Sequence, residues 1–170
     1  FFFLSGYLIT TLLCREWDRD GSISLRAFYL RRVLRLGPPI AVTLIVCILL
    51  SAAGLGEGNI ELGTLISQIF FYYNYQSLYA ESSQTVNGLQ ILWSLAVEEH
   101  FYLVWPAFFI LIACRIFGLR SVLFLLVVIL IWRCIRFFVF EMTFWVIYIS
   151  TDTRFNIQLY TCLLLLVNYT

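Results

Sequence analysis

The stretch Arg31-Arg32-Val33-Leu34-Arg35-Leu36-Gly37-Pro38-Pro39-Ile40, continued as AVTLIVCILLSAA over residues 41–53, decides the fold class. Between Val33 and Ala53 a single charge, Arg35, interrupts a run of apolar and small residues. Coiled into a helix, a run of that length crosses the hydrocarbon core of a bilayer, which takes about 20 residues at 1.5 Å each. Proline is tolerated in a first helical turn, where its missing N–H has no partner to lose, so the spanning helix is expected to open at Pro38 and Pro39. The glycine-rich residues 54–59 then end it.

Working outward, the whole chain repeats this character. Of its 170 residues, 62% are hydrophobic, 18% aromatic and only 12% charged, the last about half the share of a soluble domain. A soluble domain of this size cannot hide so much apolar surface, whereas a bilayer acts as its solvent. The net charge of +1 supplies no field for nucleic acid. All eleven basic residues are Arg, the cation that forks onto carboxylates and phosphates through two parallel bonds. Cys14, Cys47, Cys114, Cys134 and Cys162 form no CxxC pair and mostly lie in apolar runs. They read as inert thiols, and no metal site is expected.

Residues 1–14 read as the closing part of a spanning helix, and 15–35 as a polar connector with six Arg and three acids. Within the connector Asp20-Gly21 signals a turn, and Ser24 is placed to cap a short helix through Phe28, Tyr29 and Arg31. Residues 62–79 are apolar and aromatic, and Tyr72, Tyr73, Tyr75 and Tyr79 suit the headgroup layer. Residues 80–87 read as a polar loop. Residues 91–114 form the next helix, broken only by Glu98, Glu99, His100 and Pro106. Residues 121–140 form another, ending near Arg133 and Arg136, for which Glu141 is a candidate partner. A short polar loop is expected at 150–156 and a last span from Ile157. The fold class is therefore all-α: a polytopic transmembrane helical bundle of about five apolar segments, one of them re-entrant. Because the chain opens and closes inside apolar runs, it reads as one partial domain, 1–170, truncated at both ends.

Arginine placement gives the sidedness. Six Arg lie in 15–35, Arg115 and Arg120 mark a second basic turn, and none falls between Ser51 and Leu92, where Glu57, Glu61 and Glu81 lie. By the positive-inside rule, 15–39 and 115–120 are cytoplasmic and 54–92 extracytoplasmic. Two cytoplasmic turns require an even number of crossings between them, so 62–79 is expected to re-enter or lie at the interface.

Charge inside hydrocarbon costs roughly 2.5–3.5 kcal/mol per central Arg or Asp, so charged residues there mark polar cavities or partners. Three constellations stand out. In the first, Arg31, Arg32 and Arg35 share neighbouring helical positions at the mouth of a span. They suit a phosphate, and equally a topology anchor against lipid headgroups. In the second, Trp93-Ser94-Leu95-Ala96-Val97-Glu98-Glu99-His100-Phe101-Tyr102, Ser94 and Glu98 are one turn apart, as are Glu98 and Tyr102. Glu99 points about 100° away. A cavity-facing Glu98 and a helix start favoured by the dipole are both consistent with this pattern. His100, the sole histidine, is a general-base candidate with no second ligand or nucleophile beside it. In the third, Ser5-Gly6 permits close helix packing.

These segments, in this order, resemble the acyltransferase 3 family of integral-membrane enzymes that O-acylate surface polysaccharides. The family's Phe-Phe-x-x-Ser-Gly stretch is matched at 2–6. Its Phe-Tyr-x-Arg-Arg-x-x-Arg stretch before proline is matched at 28–38, and its Trp-Ser-Leu-x-x-Glu-Glu-x-Phe-Tyr-x-x-Trp-Pro stretch at 93–106. A weaker Thr-x-x-Arg-x-Asp likeness lies at 151–156, with Asn156 where Asp is common. The family's catalytic His belongs to a preceding helix, in an Arg-x10-His pattern that this sequence does not contain. His100 stands where the family often has Gln, and so does not inherit that role.

The resemblance implies transfer of an acyl group, acetyl by expectation, from cytoplasmic acyl-CoA to a hydroxyl of an extracytoplasmic glycan. Acyl-CoA is then the donor substrate, with no bound cofactor. Arg31, Arg32 and Arg35 would receive its phosphates, Glu98 would support the His or bind the sugar, and Ser5 and Glu99 would line the site. The expected partners are acyl-CoA, the glycan and the lipid bilayer, and the expected location is the bacterial inner membrane, multi-pass. Lipopolysaccharide, peptidoglycan, exopolysaccharide and small glycosides all remain open as acceptors, and the oligomeric state is unknown. The alternative is a transporter or glycan-translocating protein that uses the same charges to line a path.

Overall fold

Where water cannot serve as a hydrogen-bond partner, the backbone must satisfy itself, and a helix does so within one segment. The computed structural model describes residues 2–55, 62–79 and 92–169, and among these every regular element is helical. The elements are α1 (Phe2–Asp20), α2 (Leu25–Ala52), α3 (Leu62–Ile69), α4 (Tyr73–Tyr79), α5 (Leu92–Ala113), α6 (Leu119–Phe138), α7 (Phe144–Ile149) and α8 (Thr151–Tyr169). By length and composition α2, α5 and α6 can each cross a membrane. Glu57, Glu61, Glu81 and the loop read at 80–87 lie outside the described residues.

The chain divides into two compact units, Ser24–Ala96 and Phe1–Ile23 with Val97–Thr170. In the first, Ser24 caps α2 as the sequence suggests, its Oγ accepting from the Ala27 N–H at 3.4 Å. The helix does not restart at the prolines, however. It runs unbroken for 28 residues with Pro38 and Pro39 inside it. Two amide donors are missing there, which would leave the carbonyls one turn earlier, at Leu34 and Arg35, without their i+4 partners. Membrane helices accept this where polar groups or water re-satisfy the freed carbonyls. At about 1.5 Å per residue α2 is about 42 Å long, enough to carry its arginines beyond the hydrocarbon. Only Phe28 and Leu44 on it are buried. Leu44 packs with Ile40, Cys47, Leu65 and Leu92, while Val42, Ile45 and Leu49 face outward, as a lipid-facing helix requires.

Residues 62–79 are not one helix. Phe71, at φ 58°, breaks them into α3 and α4, of eight and seven residues, and neither reaches across a bilayer. Their polarity is inverted: Thr64, Ser67, Gln68 and Asn74 are buried, and Leu62, Ile69 and Phe70 are exposed.

The second unit holds α1, most of α5, α6, α7 and α8. Ser5 meets Gln158 and Thr10 meets Cys162, so α1 and α8 run parallel. His100 meets Thr151, Phe101 meets Phe155 and Trp105 meets Thr10, so α5 runs the same way. Trp132 and Arg136, near the end of α6, meet Asp152 at the start of α8, so α6 runs antiparallel. Arg15 and Arg19 therefore lie toward the same end of this unit as Arg115 and Arg120, as the sidedness expectation needs.

Two local expectations are corrected. Residues 150–156 are not a loop. Ser150, in extended conformation, ends α7, and Thr151 opens α8, with Asp152 in its first turn, where the helix dipole favours an acid. The partner of Arg136 is Asp152, not Glu141. Its Nη1 reaches the two carboxylate oxygens at 2.9 and 2.7 Å, because the α7 turn brings the start of α8 back against the end of α6. All five cysteines are free. Cys14 and Cys162 are buried, whereas Cys114 and Cys134 are exposed.

Candidate functional site

Several buried polar residues of the second unit, Ser5, Thr10 and Gln158 among them, gather on the seam between α1 and α8. Gly6 brings α1 against the backbone of Gln158, close enough for short side chains to reach across. The Thr10 hydroxyl donates to the Gly6 carbonyl at 2.8 Å and accepts from the Trp105 indole N–H at 3.0 Å. The Cys162 sulfur lies 3.0 Å from the same oxygen. Toward the start of both helices, Ser5 Oγ donates to the Phe2 carbonyl at 2.9 Å and accepts from Gln158 Nε2 at 3.4 Å. Ser5 is thus a lining residue of a buried polar seam as well as a packing residue.

The acidic pair separates as its 100° offset requires. Glu98 is 4% exposed, with the Tyr102 hydroxyl 3.5 Å from its Oε2, while Glu99 is half-buried. Placing a carboxylate so deep costs several kcal/mol unless polar company surrounds it. The His100 ring reaches across to α8, its Nδ1 lying 2.9 Å from Thr151 Oγ1. Beneath them Phe101 stacks on Trp105 at 5.5 Å and meets Phe155 edge-on at 5.5 Å, which fixes α5 against α8.

Arg154 emerges as a site residue that sequence reasoning reached only through a weak likeness. Its Nε donates to the Tyr148 carbonyl at 2.7 Å. Its guanidinium lies 3.6 Å from the Tyr148 ring centroid and 5.7 Å from that of Phe2. Among the described residues, buried Nη2 of Arg154 and buried Oε1 of Gln158 have no hydrogen-bond partner. Each such atom costs about 1–3 kcal/mol. Gln158 was missed altogether. The available signal was an amide at the second position of the apolar run that begins at Ile157.

Arg136 is used up locally: Asp152 takes its Nη1, Met142 Sδ sits 3.1 Å from Nη2, and Trp132 Nε1 donates to Asp152 at 2.6 Å. In the other unit Arg31 and Arg35 are exposed and Arg32 is half-buried on the opening turns of α2. Arg19 pairs with Asp20 at 2.7 Å in solvent, holding that carboxyl below its usual range.

The comparisons with known proteins meet this geometry. A family model described as an acyltransferase domain matches residues 1–167. The chain belongs to this acyltransferase family. It is 39% identical over 115 residues to the peptidoglycan O-acetyltransferase OatA of Listeria monocytogenes, covering 64% of this chain and 18% of that protein. It is 35% identical over 119 residues to the putative peptidoglycan O-acetyltransferase YrhL of Bacillus subtilis, covering 65% and 18%. A putative O-acetyltransferase of Staphylococcus aureus is 36% identical over 111 residues, covering 62% and 18%. The chain thus spans about 18% of the length of these curated relatives. No solved structure matches it. Family membership together with three helices able to cross a bilayer makes this a multi-pass membrane protein.

Proposed function

We propose that the full-length protein is an O-acetyltransferase of the bacterial cytoplasmic membrane. It moves acetyl from cytoplasmic acyl-CoA to a hydroxyl of an extracytoplasmic glycan, with peptidoglycan favoured over lipopolysaccharide. The observation that carries this reading is the family match across residues 1–167. The peptidoglycan O-acetyltransferase named among the relatives supports the acceptor.

The chemistry is a substitution at a thioester. The sugar oxygen bonds to the acetyl carbon, the carbon–sulfur bond breaks, and the hydroxyl proton passes through a base to the departing thiolate. Arg31, Arg32 and Arg35 are proposed to hold the phosphates of the donor at the cytoplasmic mouth of α2, where forked guanidinium contacts outlast single ammonium ones. Ser5 lies toward the start of α1 and Glu98 and Glu99 toward the start of α5, remote from Arg15, Arg19 and Arg115 within their own unit. These helix ends are proposed to be the extracytoplasmic ones. Glu98 is proposed as the supporting carboxylate that orients the base or binds the sugar.

The test is O-acetylation of cell-wall glycan by the full-length protein carrying Arg32→Ala or Glu98→Ala. At wild-type expression both variants are expected to lose activity. Wild-type activity in both would remove these roles, and glycan movement without consumption of acyl-CoA would identify a transporter instead.

A further inference from the structure

On α8, Arg154 and Gln158 are four residues apart and so share one face. Both turn toward the start of α1: the Arg154 guanidinium lies 5.7 Å from the Phe2 ring centroid, and Gln158 Nε2 reaches Ser5 Oγ. Each side chain is held at one end and carries an unmatched polar atom at the other. Arg154 is fixed by Tyr148, through the carbonyl below and the ring against its plane, which leaves Nη2 with protons to give. Gln158 is fully buried. The Ser5 proton already goes to the Phe2 carbonyl, so Ser5 can only accept. That assigns the Gln158 amide nitrogen to Ser5 and turns Oε1, a pure acceptor, the other way. Among the described residues neither Nη2 nor Oε1 has a partner.

A buried donor and a buried acceptor on one helix face define their complement: a group that accepts one hydrogen bond and donates another. A carboxylate or phosphate satisfies Arg154 but meets the lone pairs of Gln158 Oε1. A hydroxyl satisfies both. We propose that Arg154 and Gln158 form a binding site for a sugar hydroxyl of the glycan acceptor, with Arg154 donating to its oxygen and Gln158 accepting its proton. The assignment of that hydroxyl to the acceptor rests on the function proposed above. The pair sits with Ser5 at the end of the α1–α8 seam remote from Arg15, Arg19, Arg115 and Arg120, the end at which an extracytoplasmic sugar arrives.

The experiment uses full-length protein in detergent or liposomes, with Gln158→Met, which keeps length and removes both polar ends, and Arg154→Lys, which keeps charge and loses the fork. The probe is the N-acetylglucosamine–N-acetylmuramic acid disaccharide. Expected is a rise of about five- to ten-fold in KM for the disaccharide in each variant, the scale of one buried hydrogen bond, with KM for acetyl-CoA unchanged. Gln158→Met should melt no lower than wild type, because it removes an unmatched acceptor. Disaccharide binding without donor, followed by thermal shift, separates this inference from the proposed activity. Binding that weakens in both variants upholds the site even if the wild type transfers no acetyl group. Unchanged KM and binding in the two variants would mean that the pair holds only an internal water, and would overturn the proposal, as would a wild type that binds no disaccharide.

Discussion

Gly6 of α1 lies against Gln158 of α8 so closely that a Cβ at residue 6 would stand 2.8 Å from the Gln158 carbonyl oxygen and 3.1 Å from its Cα. Both obstructing atoms are backbone, so no rotamer change relieves the clash, and the helices themselves must part. Gly6→Ala is therefore expected to destabilise the full-length protein by roughly 1–3 kcal/mol, the usual cost of overpacking. It should also reduce acetyl transfer, because Ser5 and Thr10 lose their register against α8. Thermal unfolding in detergent measures the first effect. A melting temperature equal to wild type would show that α1 and α8 do not touch at this point.

The Arg136–Asp152 pair makes a second prediction. The Arg136 side chain is 8% exposed and that of Asp152 36%, so removing the acid strands a guanidinium in a poorly solvated place. Asp152→Ala should cost roughly 3 kcal/mol, the low end for a buried pair because Asp152 keeps some solvent. The double change Arg136→Met with Asp152→Leu should recover most of that loss, since two charges no longer need desolvating. A double variant as unstable as the single one would point instead to Trp132, whose indole also donates to Asp152.

These two contacts also show where the sequence is eloquent and where it is silent. The apolar runs announce α2, α5 and α6 because lipid demands about 20 apolar residues in a row, and Ser24 announces the start of α2 because its hydroxyl caps it. Pro38 and Pro39 mislead: a doublet that would open a helix in water lies inside one here. Ser5-Gly6 is visible as a packing device, but its partner, 152 residues further on at Gln158, is set by tertiary contact alone. The same holds for Arg136, where the nearest acid in sequence, Glu141, loses to Asp152 once α7 turns the chain back. Glu98 was legible because a carboxylate deep in an apolar run is costly. Gln158 was not, and Arg154 only through a weak family likeness, because polar residues near a helix start look like a loop until the helix is seen.

Thr10 offers a test of the seam's middle. It accepts from Trp105 at 3.0 Å while donating to Gly6, and both Thr10 and Trp105 are almost wholly buried. Thr10→Val keeps the shape and leaves the indole N–H without its acceptor, for an expected loss of about 1–3 kcal/mol. Thr10→Ser keeps the oxygen and should cost less. Equal melting temperatures for the two variants would exclude the indole contact as a stabilising one.

The arginines of α2 separate topology from recognition. A topology anchor counts positive charge, and Lys serves as well as Arg. A phosphate clamp uses the planar fork, which Lys lacks. The triple variant Arg31→Lys, Arg32→Lys, Arg35→Lys should therefore insert with unchanged sidedness. Single cysteines at Asp18 and Met142, placed in a background without the native ones, report this by labelling from either side of the membrane. In the same protein KM for acetyl-CoA should rise about ten-fold or more, since each forked contact reduced to a single one weakens binding by an amount on the order of 1.4 kcal/mol. KM for the glycan should stay put, because the residues proposed to hold it lie on α1, α5 and α8. Unchanged donor KM with correct insertion would leave the three arginines as headgroup anchors and move the donor site elsewhere on the protein.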